Sequence, residues 1–247
     1  MENYDYDSVW NENTSDSFIN YGNIFVPDRA RQYQRICNLL PKFSTDVNVL
    51  DICCGEGLLS FEIAKKSSFY NMYCYDGSPV MLENAKKHLT RLPNNSYFKH
   101  FDLLNFEQGD FPNGCNIIVS SLAVHHLNDK RKQEFYKFAN NLLPKNGLIV
   151  IVDVILPMCK EAMITAADDW DIAAYKQSLN FTGSLSAYDT FKKDKWNMYH
   201  YLDDKDYMSY DMPSPLFDQL KWLNQAGFSK VDVLWMYAGH AIFYGIK

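Results

Sequence analysis

A short apolar run, VNVLDI, leads into a turn with two adjacent cysteines, Cys53 and Cys54, and two glycines, Gly55 and Gly57; the helix-patterned GLLSFEIAKK follows. Three kinds of chemistry suit such a turn. Glycines let a backbone approach a ligand closely. Thiols serve redox or metal chemistry. A turn of small residues also simply packs a strand against a helix. Two acids close apolar runs, Asp51 and Asp76, and Asp102 follows a third. The adjacent pair His125–His126 follows a fourth. An imidazole titrates near neutrality and can take a proton, but one of two neighbouring histidines often only packs or caps a helix.

The six cysteines, at 37, 53, 54, 74, 115 and 159, include no CxxC pair. The usual zinc and redox spacings are therefore missing, and no metal site is expected. Several cysteines lie inside apolar runs such as YNMYCYD, where a free thiol acts as a small core residue. The apolar fraction of 47% and charged fraction of 22% are those of a soluble globular protein. No apolar run reaches the roughly 18–20 residues of a membrane span. The polar, acidic N-terminus resembles neither a secretory signal nor a transit peptide, so a cytoplasmic protein is expected. Net charge is −6, and the first thirty residues carry six acids against Arg29 alone. A nucleic-acid partner needs clustered positive charge, and none is expected here.

The elements that must position these residues alternate. An irregular acidic start precedes PDRARQYQRICNLLPKF, which has helical spacing with Pro27 in its first turn. Strands are expected at VNVLDI, FYNMYCYD, SYFKHFDLLN, CNIIVSSLA and LIVIVDVIL, the last apolar throughout as for a strand covered on both faces. Helices are expected at GLLSFEIAKK, at SPVMLENAKKHL with Ser78 as N-cap, and at NDKRKQEFYKFANNLLPKNG. This alternation predicts a doubly wound α/β sheet with its ligand at the carboxyl ends of the strands. The ending differs. A helix, PLFDQLKWLNQAGF, precedes a hairpin of KVDVLWMY and HAIFYGIK, so one antiparallel strand should close the sheet. The expected organisation is a single domain over 1–247, with an N-terminal lid segment at 1–30 and a mostly helical cap inserted at 157–214. The cap is rich in aromatics and holds ten acids against six lysines. A small neutral or cationic acceptor would suit it, by stacking or cation–π contact; core aromatics beneath a solvated acidic face are the equal alternative.

VLDICCGEG, YDGSPVML, LLPKNGLIVIVD and the terminal hairpin, in that order, resemble the class I S-adenosylmethionine-dependent methyltransferases. SSLAVHHLND and LKWLNQAGFSKVDVLW also resemble stretches of small-molecule members. The resemblance implies a mostly parallel, seven-stranded, Rossmann-like sheet. It implies S-adenosylmethionine as cofactor, S-adenosylhomocysteine as product, and in-line methyl transfer to a small molecule by a monomer or homodimer.

The resemblance also carries roles for individual residues. Cys53, Gly55 and Gly57 would cradle the methionine end, Cys53 standing where the family has a glycine. Asp51 would meet the ammonium. Asp76 would accept both ribose hydroxyls, with Gly77 and Met81 at the adenine. Asp102 would accept from the adenine amino group, beside Leu103. Ser120 and Leu122 would line the cofactor edge. Trp10, Tyr21, Arg29 and Arg31 would close over the cofactor, an arginine pairing its carboxylate. His125 would accept the acceptor's proton. His126, Trp170, Trp196 and Tyr199 would face the substrate. A nicotinamide dehydrogenase would need glycine at positions 53 and 58, where Cys53 and Leu58 stand. A tRNA-modifying relative and a non-catalytic cofactor-binding protein are the remaining alternatives.

Overall fold

The computed structural model describes residues 12–40, 45–202, 204 and 210–247. Trp10 lies outside these residues. Seven strands form one sheet in the order β3-β2-β1-β4-β5-β7-β6. They are β1 (Val47–Ile52), β2 (Tyr70–Asp76), β3 (Ser96–His100), β4 (Cys115–Ser121), β5 (Leu148–Val154), β6 (Lys230–Tyr237) and β7 (His240–Ile246). All neighbours are parallel except β7, which runs antiparallel to both β5 and β6. The chain winds outward from β1 in one direction and from β4 in the other. The carboxyl ends of these adjacent strands therefore border a crevice at the switch point. Ser120 Oγ, buried there, donates to the Ile52 carbonyl at 2.8 Å and joins the two strand ends.

Eight helices are described: α1 (Glu12–Phe25), α2 (Arg29–Leu39), α3 (Leu58–Ala64), α4 (Pro79–Leu89), α5 (Asp129–Leu142), α6 (Lys160–Thr182), α7 (Ser186–Lys193) and α8 (Leu216–Gln225). The caps follow the sequence. Ser78 accepts from the Met81 amide with Pro79 in the first turn of α4, and Asn128 accepts from the Arg131 amide at α5. One expectation fails: the irregular start is helical from Glu12. Its asparagines, serines and glycine disfavour a helix in isolation. Packing supplies the difference, since Tyr21 stacks on Phe25, and Phe25 lies against Phe191 and Trp196 of the cap. Pro27 sits before α2 rather than in its first turn, and Asp28 adopts a left-handed backbone at the helix entry.

Two core clusters cover the faces of the sheet, and a third joins α1 to α6 and α7. Trp170 and Tyr199 belong to the third. The Trp170 indole donates to the Phe25 carbonyl at 2.7 Å, and the Tyr199 hydroxyl lies 2.6 Å from the Ile155 carbonyl and 2.8 Å from that of Gly239. Gln177 of α6 clasps the N-terminal segment. It donates to the Ile24 and Val26 carbonyls and accepts from the Asp28 amide.

Gly57, at φ +75°, caps α3 where α3 meets α4; a Cβ on it would lie 2.8 Å from Ala85 Cβ. Both the left-handed backbone and the overlap oppose a side chain. Gly57→Ala should cost about 2–4 kcal/mol in denaturant unfolding. Gly183→Ala, with a similar φ but nothing within 4 Å, should cost only the backbone part, about 1 kcal/mol.

Candidate active site

β1 delivers Asp51 into the crevice, buried, with Oδ2 accepting from Ser60 Oγ of α3 at 2.6 Å. Its Oδ1 is buried and has no hydrogen-bond partner among the described residues. Burial raises the Asp51 pKa to about 7; the Ser60 hydroxyl opposes this and Asp76 adds to it. The turn then passes through left-handed backbone at Cys53 (φ 58°), Gly55 (φ 54°) and Gly57. Cys53 therefore occupies a conformation that favours glycine. Burial pushes its thiol, and that of Cys54, well above the ordinary value, which makes both poor nucleophiles.

Asp76 closes β2 and holds the turn. Its Oδ2 accepts from the Gly55 amide at 2.8 Å and its Oδ1 from the Ser78 amide at 2.9 Å. Gly77 is exposed beside it, and Met81 is buried at the start of α4. Asp102 is exposed and caps a 3-10 turn, accepting from the Leu104 amide at 2.8 Å and from the Asn105 side chain; Leu103 is buried next to it. Leu122 ends β4 with φ 55°, its amide donating to the Val152 carbonyl. Asp51, the 53–57 turn, Asp76 and the β4 end thus gather at one edge of the sheet.

Of the two arginines expected near the cofactor, Arg29 and not Arg31 reaches the turn. Arg31 is exposed, pairs loosely with Asp28 at 3.8 Å, and lines a groove of about 870 Å³ with Tyr33, Leu58 and Phe61. Arg29 is buried. Its Nε donates to the Tyr33 hydroxyl at 2.7 Å, and its guanidinium lies over the Phe18 ring. Nη1 stands 3.6 Å from Glu56 Oε1, beyond hydrogen-bonding reach, and makes no hydrogen bond among the described residues. The site therefore holds two buried polar atoms near one turn that make no hydrogen bond among the described residues, Oδ1 of the Asp51 carboxyl and Nη1 of Arg29, the latter in a loose ion pair with Glu56. A zwitterionic amino-acid end, such as that of S-adenosylmethionine, fits this donor set. Tyr21 is stacked within the α1 packing.

Beyond β4, a 3-10 turn at Val124–His126 carries the two histidines. His125 is buried. Its Nδ1 pairs with Asp153 Oδ1, and its amide donates to Asp153 Oδ2 at 2.8 Å. Its Nε2 faces Asp211 Oδ1 at 3.3 Å. Burial alone would lower the imidazole's pKa, but the Asp153 and Asp211 carboxylates outweigh it and push it up to about 10. His126 Nδ1 lies 3.4 Å from the same Asp211 oxygen. Burial and the neighbouring His125 lower the His126 pKa to about 4. Lys132, fully buried on α5, donates to the Met212 carbonyl and to Ser214 Oγ, and so fixes the segment that carries Asp211.

Sequence reasoning missed Asp153, Asp211 and Lys132. Asp153 had a signal, being the one ionisable residue in a strand read as apolar throughout; a buried carboxylate demands a partner. Trp170 and Tyr199, expected to face substrate, are buried in the third core cluster with their polar atoms bonded to backbone; Trp196 packs against that cluster beside Phe25. A cavity of about 170 Å³ in the cap is lined by Asp171, Phe191 and His200 rather than by these three.

The raised Asp51 pKa has a consequence for stability. Between about pH 4 and pH 7 the unfolded chain has lost the Asp51 proton while the folded chain keeps it, so stability falls as pH rises through this window. Asp51→Asn removes this part of the slope. The variant should be more stable than wild type by a few kcal/mol above pH 7 and nearly equal to it at pH 4, in urea unfolding followed across that range.

Residues 49–147 match the methyltransferase domain family. An uncharacterized methyltransferase of Bacillus cytotoxicus is 31% identical over 142 residues, which cover 58% of this chain and 63% of that relative. The matched region thus falls short of two thirds of the relative's length. An O-methyltransferase family 2 protein from Planctomyces limnophilus, solved in complex with apigenin, superposes with a TM-score of 0.61 at 17% identity, over 98% of this chain and 63% of that one. Human N-acetylserotonin methyltransferase, solved in complex with SAM, superposes with a TM-score of 0.60 at 12% identity, over 96% and 56%. At these identities the two structures speak for the fold alone. The chain thus carries, over residues 49–147, a region that matches the methyltransferase domain family, on a seven-stranded sheet of order 3-2-1-4-5-7-6 whose fold it shares with these solved methyltransferases.

Proposed function

We propose that this chain transfers a methyl group from S-adenosylmethionine to a hydroxyl of a small molecule. The observation that carries this reading is the buried Asp153–His125 pair at the ends of β5 and β4, beside a turn where Asp51 Oδ1 and Arg29 Nη1 make no hydrogen bond among the described residues. The cofactor, when bound, supplies an electrophilic methyl on a sulfonium. Asp51 Oδ1 takes its ammonium and Arg29 Nη1 its carboxylate. Asp76 receives the ribose hydroxyls. Met81, Gly77 and Leu103 border the adenine, with Asp102 at its amino group. The backbone of Cys53, Gly55 and Gly57 lies along the methionine end, and Ser120 and Leu122 along the edge.

A hydroxyl reaches the site protonated, which gives a base work to do. His125 accepts that proton at Nε2 while Asp153 holds Nδ1 and the ring orientation. The acceptor's hydroxyl takes the place of Asp211 at Nε2, and loss of that carboxylate contact brings the imidazole back toward its ordinary pKa. The remaining contribution of the protein is alignment and exclusion of water by residues 157–214 and the N-terminal segment. The apigenin bound to the Planctomyces protein and the name of the human enzyme both concern small molecules, and the net charge of −6 disfavours nucleic acid.

Calorimetric titration with S-adenosylmethionine and S-adenosylhomocysteine tests the cofactor half of the reading. Wild type should bind both, and Asp76→Ala should lose most of the affinity. S-adenosylhomocysteine formation across a panel of phenols and aliphatic alcohols tests the other half. His125→Gln should keep cofactor affinity within about twofold and lower turnover by roughly 10²–10⁴. Unchanged turnover in this variant would overturn the role of His125.

A further inference from the structure

The His125–His126–Asp211 cluster has a second chemistry that proton transfer does not use. Three donor atoms, His125 Nε2, His126 Nδ1 and Asp211 Oδ1, converge within 4.8 Å of one another. The shared Asp211 oxygen lies 3.3 Å from one imidazole nitrogen and 3.4 Å from the other. A tetrahedral cation with bonds of about 2.0–2.1 Å holds its ligands about 3.3–3.5 Å apart. The two separations from the Asp211 oxygen match this spacing, and the two imidazole nitrogens lie within 4.8 Å of each other. Two imidazoles and one carboxylate suit zinc and its first-row neighbours, and suit magnesium or calcium poorly.

The surroundings hold the donors as a metal centre needs. Asp153 engages His125 Nδ1, which turns Nε2 toward the cluster in the carboxylate–histidine–metal arrangement. His126 is also hydrogen-bonded to the Tyr210 backbone. The Asp211 segment is anchored twice, by the Met212 amide on the His125 carbonyl at 2.8 Å and by buried Lys132 on the Met212 carbonyl and Ser214. Exposure rises across the cluster, from 8% for the His125 side chain to 25% for His126 and 32% for Asp211. One side is therefore buried and the other open to an entering ion. Sequence spacing gave no sign of this site, because the third donor comes from the far end of the 157–214 insertion.

We infer that His125, His126 and Asp211 form a binding site for one zinc-class divalent cation, with a fourth position open to water or ligand. The site's effect on catalysis rests on the reading of His125 as base: a cation on Nε2 occupies the lone pair that would take the acceptor's proton.

Cobalt(II) is the probe, added to the full chain without cofactor or acceptor. Wild type should take up one equivalent with the intense visible absorption of a four-coordinate ion, and zinc should displace it. His126→Gln and Asp211→Asn should each abolish the band, and Asp153→Asn should weaken binding about 10–100-fold. A His100→Gln/His200→Gln/Cys159→Ser variant, without the exposed histidines and cysteine of the described residues, should bind as wild type does. Absence of a stoichiometric site in wild type, or a band that survives in both His126→Gln and Asp211→Asn, would overturn the inference. The two readings fail separately. Loss of turnover in His125→Gln without any cobalt site sinks the metal alone, while a cobalt site with unchanged turnover in His125→Gln sinks the base alone.

Discussion

The hydrogen bond from the Gly55 amide to the Asp76 carboxylate fixes the geometry on which the site depends. It joins the turn after β1 to the end of β2, and the Cys54 amide on the Tyr75 carbonyl, at 3.0 Å, repeats the link one residue earlier. Around these two ties the backbone is held in left-handed conformations at residues 53, 55 and 57. A turn so constrained presents its amides and carbonyls in one arrangement, and α3 starts from it at a fixed angle to α4. Cys53 tolerates a backbone that usually asks for glycine because the surrounding bonds over-determine it.

The four carboxylates of the site are kept in different states by their partners. Asp76 is stabilised by two backbone amides. Asp51 has one hydroxyl and deep burial, and its pKa rises. Asp153 is buried but serves the His125 amide and ring, together with the Val154 amide. Burial works against the Asp211 carboxylate, but the two histidines prevail and lower its pKa to about 2. The strand ends thus differ, with a carboxyl of raised pKa at β1, an amide-satisfied carboxylate at β2, and an ion-paired group at β4 and β5.

Much of this was legible in the sequence. Strand–helix alternation, the antiparallel ending and the acids at strand ends are local patterns, and the fold keeps them. What escaped depends on tertiary facing. Arg29 and Arg31 are two positions apart on α2, roughly 200° around the helix, so only one can meet the turn. Composition made the cap aromatic, but the Trp170 indole ties it to α1 and the Tyr199 hydroxyl ties it to the backbone just after β5 and just before β7, which spacing alone does not reveal. Asp211 reaches His125 only because Lys132, a buried cation in an otherwise ordinary amphipathic helix, anchors the returning chain.

Gln177 makes three hydrogen bonds to the backbone between Ile24 and Asp28, and Trp170 makes a fourth beside them. None of these backbone groups belongs to the inserted segment itself. A relative's insertion grafted between β5 and α8 without its own α1 would strand three carbonyls, an amide and the aromatic face of Phe25. The packing unit built around the insertion is therefore discontinuous: α1 and the insertion, some 130 residues apart in the chain, must diversify together.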